Sequence, residues 1–164
     1  MDKTYLLYNA ITLNATGNKW NILAIPMTSR EIKKHQHHFT DFNFEELKSE
    51  GNTVYKVCRE NEEGILQGMF AFKEGTGFLD CANMEVSEIN KRPIILYSGV
   101  GKAMVAVCCK ISLDLGYEGY ISFTAKNRLF NYYKRMGACQ IGASNKFYIN
   151  EKTAAFLIDA YFNL

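Results

Sequence analysis

Two glycines stand one residue apart in Ser98-Gly99-Val100-Gly101-Lys102-Ala103-Met104, at the start of a helical stretch and directly after the apolar run Ile94-Ile95-Leu96-Tyr97. Glycine has no Cβ, so the backbone there can close directly on a ligand. A helix N-terminus adds unpaired N–H donors and the positive end of its dipole. Such a seat accepts phosphate or pyrophosphate. A strand-to-helix turn without a ligand is the competing reading of a lone Gly-x-Gly. A second concentration of chemistry is His35, His37 and His38. On a helix, positions 35 and 38 share a face. No carboxylate or cysteine at ligand spacing completes the set, so the expectation is no metal, and a solvated or substrate-lining surface.

Two known phosphate loops fail on residue type. A Walker A loop ending at Gly101-Lys102 needs glycine at 96 and Ser or Thr at 103, where Leu96 and Ala103 stand. A dinucleotide fingerprint needs its third glycine at 104, which is Met104.

The elements that would position these residues follow from patterning. Residues 1–19 hold a short apolar stretch and a polar turn. Trp20 to Met27 reads as a strand, with Pro26 at a sheet edge or a strand end. Thr28 or Ser29 caps a helix running toward His38, with Glu31 in its first turn. Asn43 to Ser49 is a second short helix, ended by Gly51. Thr53–Arg59, Ile65–Lys73 and Phe78–Ile89 read as three antiparallel strands, joined by turns at Asn61–Gly64 and Glu74–Gly77. The helix after Gly101 runs to Leu115 and stops at Gly116. Tyr120, Ile121, Phe123 and Ala125 form a strand. Asn127 to Met136 forms a helix stopped by Gly137, then comes a strand over Lys146–Ile149 and a helix over Lys152–Phe162.

A length of 164 residues suits one domain, 1–164. The net charge of +2 is too small to argue for nucleic acid by itself. No apolar run reaches membrane-spanning length, and no signal peptide stands at the start. The five cysteines include no Cys-x-x-Cys pair, so they read as reduced thiols in a cytoplasmic protein.

The order and spacing of the motifs resemble the GNAT N-acetyltransferases over roughly residues 20–150. That family's cofactor loop reads Arg/Gln-x-x-Gly-x-Gly/Ala and runs into a helix. Gly99-x-Gly101 fits it and Pro93 stands where the family often has proline, while Leu96 replaces the leading Arg/Gln. Tyr133 and Gly137 keep the spacing of a Tyr-x-x-x-Gly-Phe motif, with Ala138 in place of Phe. The family's asparagine falls eleven residues before that glycine; here Lys126 stands there and Asn127 follows. The resemblance implies an α+β, three-layer fold: a mixed, mostly antiparallel sheet with helices on both faces and a splayed central strand pair.

It also implies acetyl-CoA as cosubstrate, no metal, and direct attack of an amine on the thioester. Cofactor contacts would come from Ile89, Tyr97, Ser98, Gly99, Val100, Gly101, Lys102, Ala103, Asn127 and Tyr133. Tyr133 would protonate the departing thiolate, and a backbone N–H near Ile89 would polarise the carbonyl. The amine must lose a proton, and Glu88 or Glu85 would take it. Three apart on a regular strand, these two face opposite sides, and Glu88 is the nearer to the cofactor loop. Phe39, Phe42 and Phe44 either line the acceptor pocket or pack the core. The acceptor is a small-molecule or peptide amine, and a homodimer is compatible. Two alternatives stand: a CoA-binding sensor or interaction module without catalysis, and a toxin that acetylates aminoacyl-tRNA through a basic groove.

Overall fold

Alternation along the strands decides which layer each side chain meets. In β3 (Thr53–Arg59), Val54 joins one apolar cluster while Tyr55 and Val57 join another. In β4 (Leu66–Glu74), Met69 and Ala71 join the first, Phe70 and Phe72 the second. A sheet that buries both faces must carry helices on both. The computed structural model, which describes residues 3–163 apart from the side chain of Ala82, has that arrangement. Met1, Asp2 and Leu164, the ends of the expected 1–164 domain, lie outside the described residues.

The remaining strands are β1 (Tyr5–Leu13), β2 (Lys19–Pro26), β5 (Leu79–Val86), β6 (Tyr97–Ser98), β7 (Ile121–Thr124), β8 (Cys139–Gln140) and β9 (Lys146–Ile149). They form one sheet in the order β6-β1-β2-β3-β4-β5-β7-β9-β8. Every pairing is antiparallel except β5 with β7. The expected mixed, mostly antiparallel α+β fold is therefore present.

One face carries α3 (Val100–Asp114) and α5 (Glu151–Phe162). Its cluster includes Leu7, Ile22, Phe70, Met104, Val107, Phe147 and Leu157, with the Tyr55 and Phe70 rings stacked 5.3 Å apart. Each such side chain contributes about 1.5–3 kcal/mol by leaving water. The short α4 (Phe130–Met136) packs on this cluster through Phe130 and Tyr133. The other face carries α1 (Ser29–His35) and α2 (Phe44–Ser49), whose Ile32 and Phe44 cover Met69 and Ala71 together with Phe39 from the segment between them. Thr28 and Glu31 form a capping box at the start of α1, worth about 1 kcal/mol. The core-packing reading of Phe39 and Phe44 holds, since both are buried there; Phe42 packs at the edge.

Gly119 stands between α3 and α5 with φ +88°, and a Cβ there would come within 2.6 Å of the Ala154 Cβ. Gly17 has a similar φ of +77° but open space around it. Gly119→Ala is expected to lower unfolding free energy by about 2–4 kcal/mol, from backbone strain plus overlap. Gly17→Ala should lose only about 1 kcal/mol, the strain alone. Urea denaturation of both variants measures the difference.

Candidate functional site

β5 and β7 pair over two positions only, Leu79 with Ile121 and Asp80 with Ser122. Beyond Asp80 the register of β5 on β4 slips: Lys73 faces Asp80 and Ala71 faces Asn83, so β5 holds one extra residue. That bulge bends the strand. It also puts Cys81 and Met84, three apart, on the same α3 side. Ser87 donates its N–H to the Gln67 carbonyl at 2.9 Å. Antiparallel alternation then turns the main-chain groups of Val86 and Met84 away from β4, toward β7. Past Asp80, the two central strands are parted and one of them aims N–H and C=O groups into the gap.

Gly99 caps α3 in the left-handed conformation, φ 94°, and a side chain there would also crowd the Ala10 carbonyl at 3.1 Å. The first intrahelical bond of α3 is Ala103 N–H to the Gly99 carbonyl. The N–H groups of Val100, Gly101 and Lys102 thus lie ahead of the helical ladder, as an anion seat requires. Val100 and Ala103 bury their side chains beneath it. Ser98 donates its hydroxyl to Asn14 at 2.7 Å. Tyr97 is buried, and its hydroxyl accepts from Arg59 at 2.7 Å.

The carboxylates correct the strand reading of Phe78–Ile89. β5 ends at Val86, because the Ser87 hydroxyl caps a 3-10 turn over Glu88–Asn90. Ile89 therefore leaves the splayed strand: its N–H meets the Ser87 hydroxyl at 3.4 Å and its carbonyl accepts from Leu96. Glu85 and Glu88 do not face opposite sides. Both meet the segment that joins α1 to α2. The Glu85 side chain, 1% exposed, accepts from the backbone N–H groups of Thr40, Asp41 and Phe42 at 2.9–3.1 Å. It also binds the Lys91 ammonium at 2.5 Å. Glu88 is exposed and holds His38 Nδ1 at 2.9 Å. His35, His38, Ser87, Glu88 and Ile89 line a cavity of about 180 Å³ with Ile65 and Leu66. Among the described residues no His/Cys/Asp/Glu group could hold a metal.

No protein-family model and no curated protein matches the sequence itself. Solved structures do match the fold. AtaTR bound with acetyl-CoA superposes at TM-score 0.57 and 14% identity, over 83% of this chain and 97% of that one. A Bacillus subtilis acetyltransferase in complex with CoA gives 0.55 and 14%, over 79% and 97%. A Chromobacterium violaceum protein assigned to the GNAT family gives 0.58 and 12%, over 88% of each chain. The chain has the GNAT acetyltransferase fold.

Within this GNAT fold the adjacent tyrosines of α4 have different surroundings. Tyr133 packs its ring on Phe123, 4.7 Å between centroids, and on Phe147. Burial, with Tyr132 and Cys108 nearby, pushes its phenol up to about 12. Tyr132 instead reaches the start of α3: a Cβ on Gly101 would lie 3.3 Å from its hydroxyl oxygen. Burial raises the Tyr132 phenol, against the opposing effect of the Lys102 backbone N–H. Asn127 opens a 3-10 turn with its side chain exposed. Cys81, Cys108 and Cys109 are buried free thiols, and burial holds Cys81 and Cys109 well above the ordinary thiol range.

Sequence reading missed three positioning residues. Gln36 donates to the Phe39 and Phe42 carbonyls and accepts from the Phe44 N–H. Asn90 is buried and ties the Glu88–Asn90 turn to Gln67 and to the Tyr97 N–H. Lys126, which marked only a departure from the family pattern, reaches Asp41 at 3.1 Å. Each partner is far away in sequence or is a backbone group, so no local motif announces it.

Glu85→Ala would remove the acceptor of three part-buried N–H groups and the nearer partner of the Lys91 ammonium, which would keep only Asp41. The expected loss is about 3–5 kcal/mol, the scale of breaking a buried charged pair. Hydrogen exchange should show that residues 40–42 open first.

Proposed function

We propose that the chain transfers the acetyl group of acetyl-CoA to an amine by direct attack. The parting of β5 from β7, with the main chain of Met84 and Val86 turned into the gap, carries the reading. It is supported by the N–H groups that precede the helical ladder at the start of α3 and by the CoA and acetyl-CoA bound to structural neighbours.

In this reading the N–H groups of Val100 and Gly101 hold the pyrophosphate, joined by that of Lys102 when it turns from the Tyr132 hydroxyl. Gly99 supplies the left-handed turn against Ala10 and Gly101 leaves room beside the Tyr132 hydroxyl, with Tyr97, Ser98 and Ala103 as the frame around it. Asn127 stays a cofactor contact at the exposed rim. The pantetheine arm completes the sheet edge between β5 and β7. A strand N–H of Met84 or Val86, in place of one near Ile89, polarises the thioester carbonyl. The amine nitrogen bonds to the carbonyl carbon, the C–S bond breaks, and Tyr133 protonates the departing thiolate. Burial favours this role because it keeps the phenol protonated. The amine's proton goes to the His38–Glu88 pair. Glu88 orients the imidazole through Nδ1, so Nε2 serves as acceptor. Glu85 is the anchor of the segment above and takes no proton, because its oxygens are already engaged.

Acetyl-CoA should raise the melting temperature. At one hundred times Kd the gain is about 2.7 kcal/mol, or about 5–10 °C for a chain of this size. Gly101→Val should abolish the shift by filling the seat. No shift of the wild-type chain at millimolar acetyl-CoA would sink the assignment.

Tyr133→Phe should keep acetyl-CoA affinity and lower kcat about 10²–10⁴-fold, the usual loss with a general acid. If Tyr132→Phe suffers that loss and Tyr133→Phe does not, the two phenols exchange roles.

A further inference from the structure

Four charged side chains cross the mouth of the gap. On the β5 side, Lys91 binds Glu85 at 2.5 Å and reaches Asp41 Oδ2 at 3.4 Å. On the β7 side, Lys126, two residues past the strand end, reaches the same Oδ2 at 3.1 Å. One carboxylate oxygen is thus shared by two ammonium groups that come from opposite sides of the opening. Asp41 does not choose this place. Its backbone N–H is bound by Glu85, and Gln36 grips the segment on either side of it. Burial alone would raise the Asp41 carboxyl, but Lys126 and Lys91 outweigh it and hold it below its ordinary value.

Two like charges converge at low cost only around an anion. Here that anion is tethered on a loop, and its side chain remains 28% exposed. Lys126 is more exposed still, so an incoming carboxylate can reach the contacts Asp41 makes. The same loop segment begins at His38, whose partner Glu88 offers a negative charge beside the 180 Å³ cavity. Lys91 stays neutralised by the buried Glu85, so the mouth presents one cation whose partner a ligand can replace, Lys126, and an anion at Glu88.

We propose that Lys126 is the anion-recognition residue of the acceptor site, with Lys91 fixing Asp41 beside it. The acceptor is a small amine that also carries a carboxylate, and Asp41 holds its place until it binds. This rests on the acetyltransferase reading. The ammonium end of such a zwitterion is drawn toward Glu88, its carboxylate toward Lys126.

The experiment measures thiol release from acetyl-CoA with the amino acids and, beside each, its carboxamide. Carboxamides are less basic amines, so the readout is the ratio of kcat/KM for acid over amide, compared between variants. Wild type should favour the acids. Lys126→Met should lower the ratio about tenfold through KM, the scale of one charge-assisted hydrogen bond. Lys126→Arg should restore it, and Asp41→Asn should lower KM for the acids. Equal losses on acids and amides, a wild-type preference for amides, or acetylation of neither by a chain that binds acetyl-CoA would overturn the inference. If the thermal shift shows no acetyl-CoA binding, the acetyltransferase reading has failed first.

Discussion

The carboxylate of Glu85 is the contact on which the site's geometry depends. A charge removed from water must be repaid by close partners, and here those partners are three consecutive backbone N–H groups and one ammonium. The backbone groups belong to the link between α1 and α2, and the ammonium to the loop after β5. One side chain on a bulged strand thus fixes two otherwise irregular segments against the sheet. Both flank the opening between β5 and β7. Gln36 repeats the device from the helical side, with two donated bonds and one accepted. Polar groups held from two sides lose their freedom to rearrange, which makes the 39–44 segment a wall rather than a loose loop.

Much of the frame was legible where a single local rule governs. β3 and β9 lie where alternation puts them, the Thr28 cap is present, and Gly137 ends α4 in the left-handed conformation, φ 104°. β1 was not legible. Its pairing with β2 slips between Leu7 and Ile11, around Asn9 at φ 49°, so its residues do not keep one period. The apolar run 94–96 shows the opposite case. It has strand composition, but Ile95 sits at φ 38°, and only Tyr97 and Ser98 pair, with β1 at the sheet edge. Ile94 is left largely exposed.

The site itself was half legible. Glycines at 99 and 101 carry their meaning in sequence, because only the backbone matters there. The carboxylates do not: nothing local separates Glu85, buried and saturated, from Glu88, exposed and paired with a histidine 50 residues earlier. Their difference comes from where a serine ends the strand. Spacing to Gly137 selects Tyr133 over Tyr132, yet only packing reveals that one ring lies on Phe123 while the other hydroxyl reaches Gly101.

The two-position pairing of β5 with β7 divides the sheet into blocks of six and three strands. The smaller block, β7 with β9 and β8, is built from contacts close in sequence and can form early. The larger block needs β6, from residue 97, to find β1 near the N-terminus. What joins the blocks is mainly beneath them: α3 touches β4, β5 and β7, and α5 locks onto α3 and β1. The seam is therefore a line of low backbone cohesion, kept closed by side-chain packing rather than by its own ladder. A molecule lodged in it would add main-chain bonds across the seam that the two blocks lack, so occupancy and cooperativity of unfolding are coupled by the architecture itself.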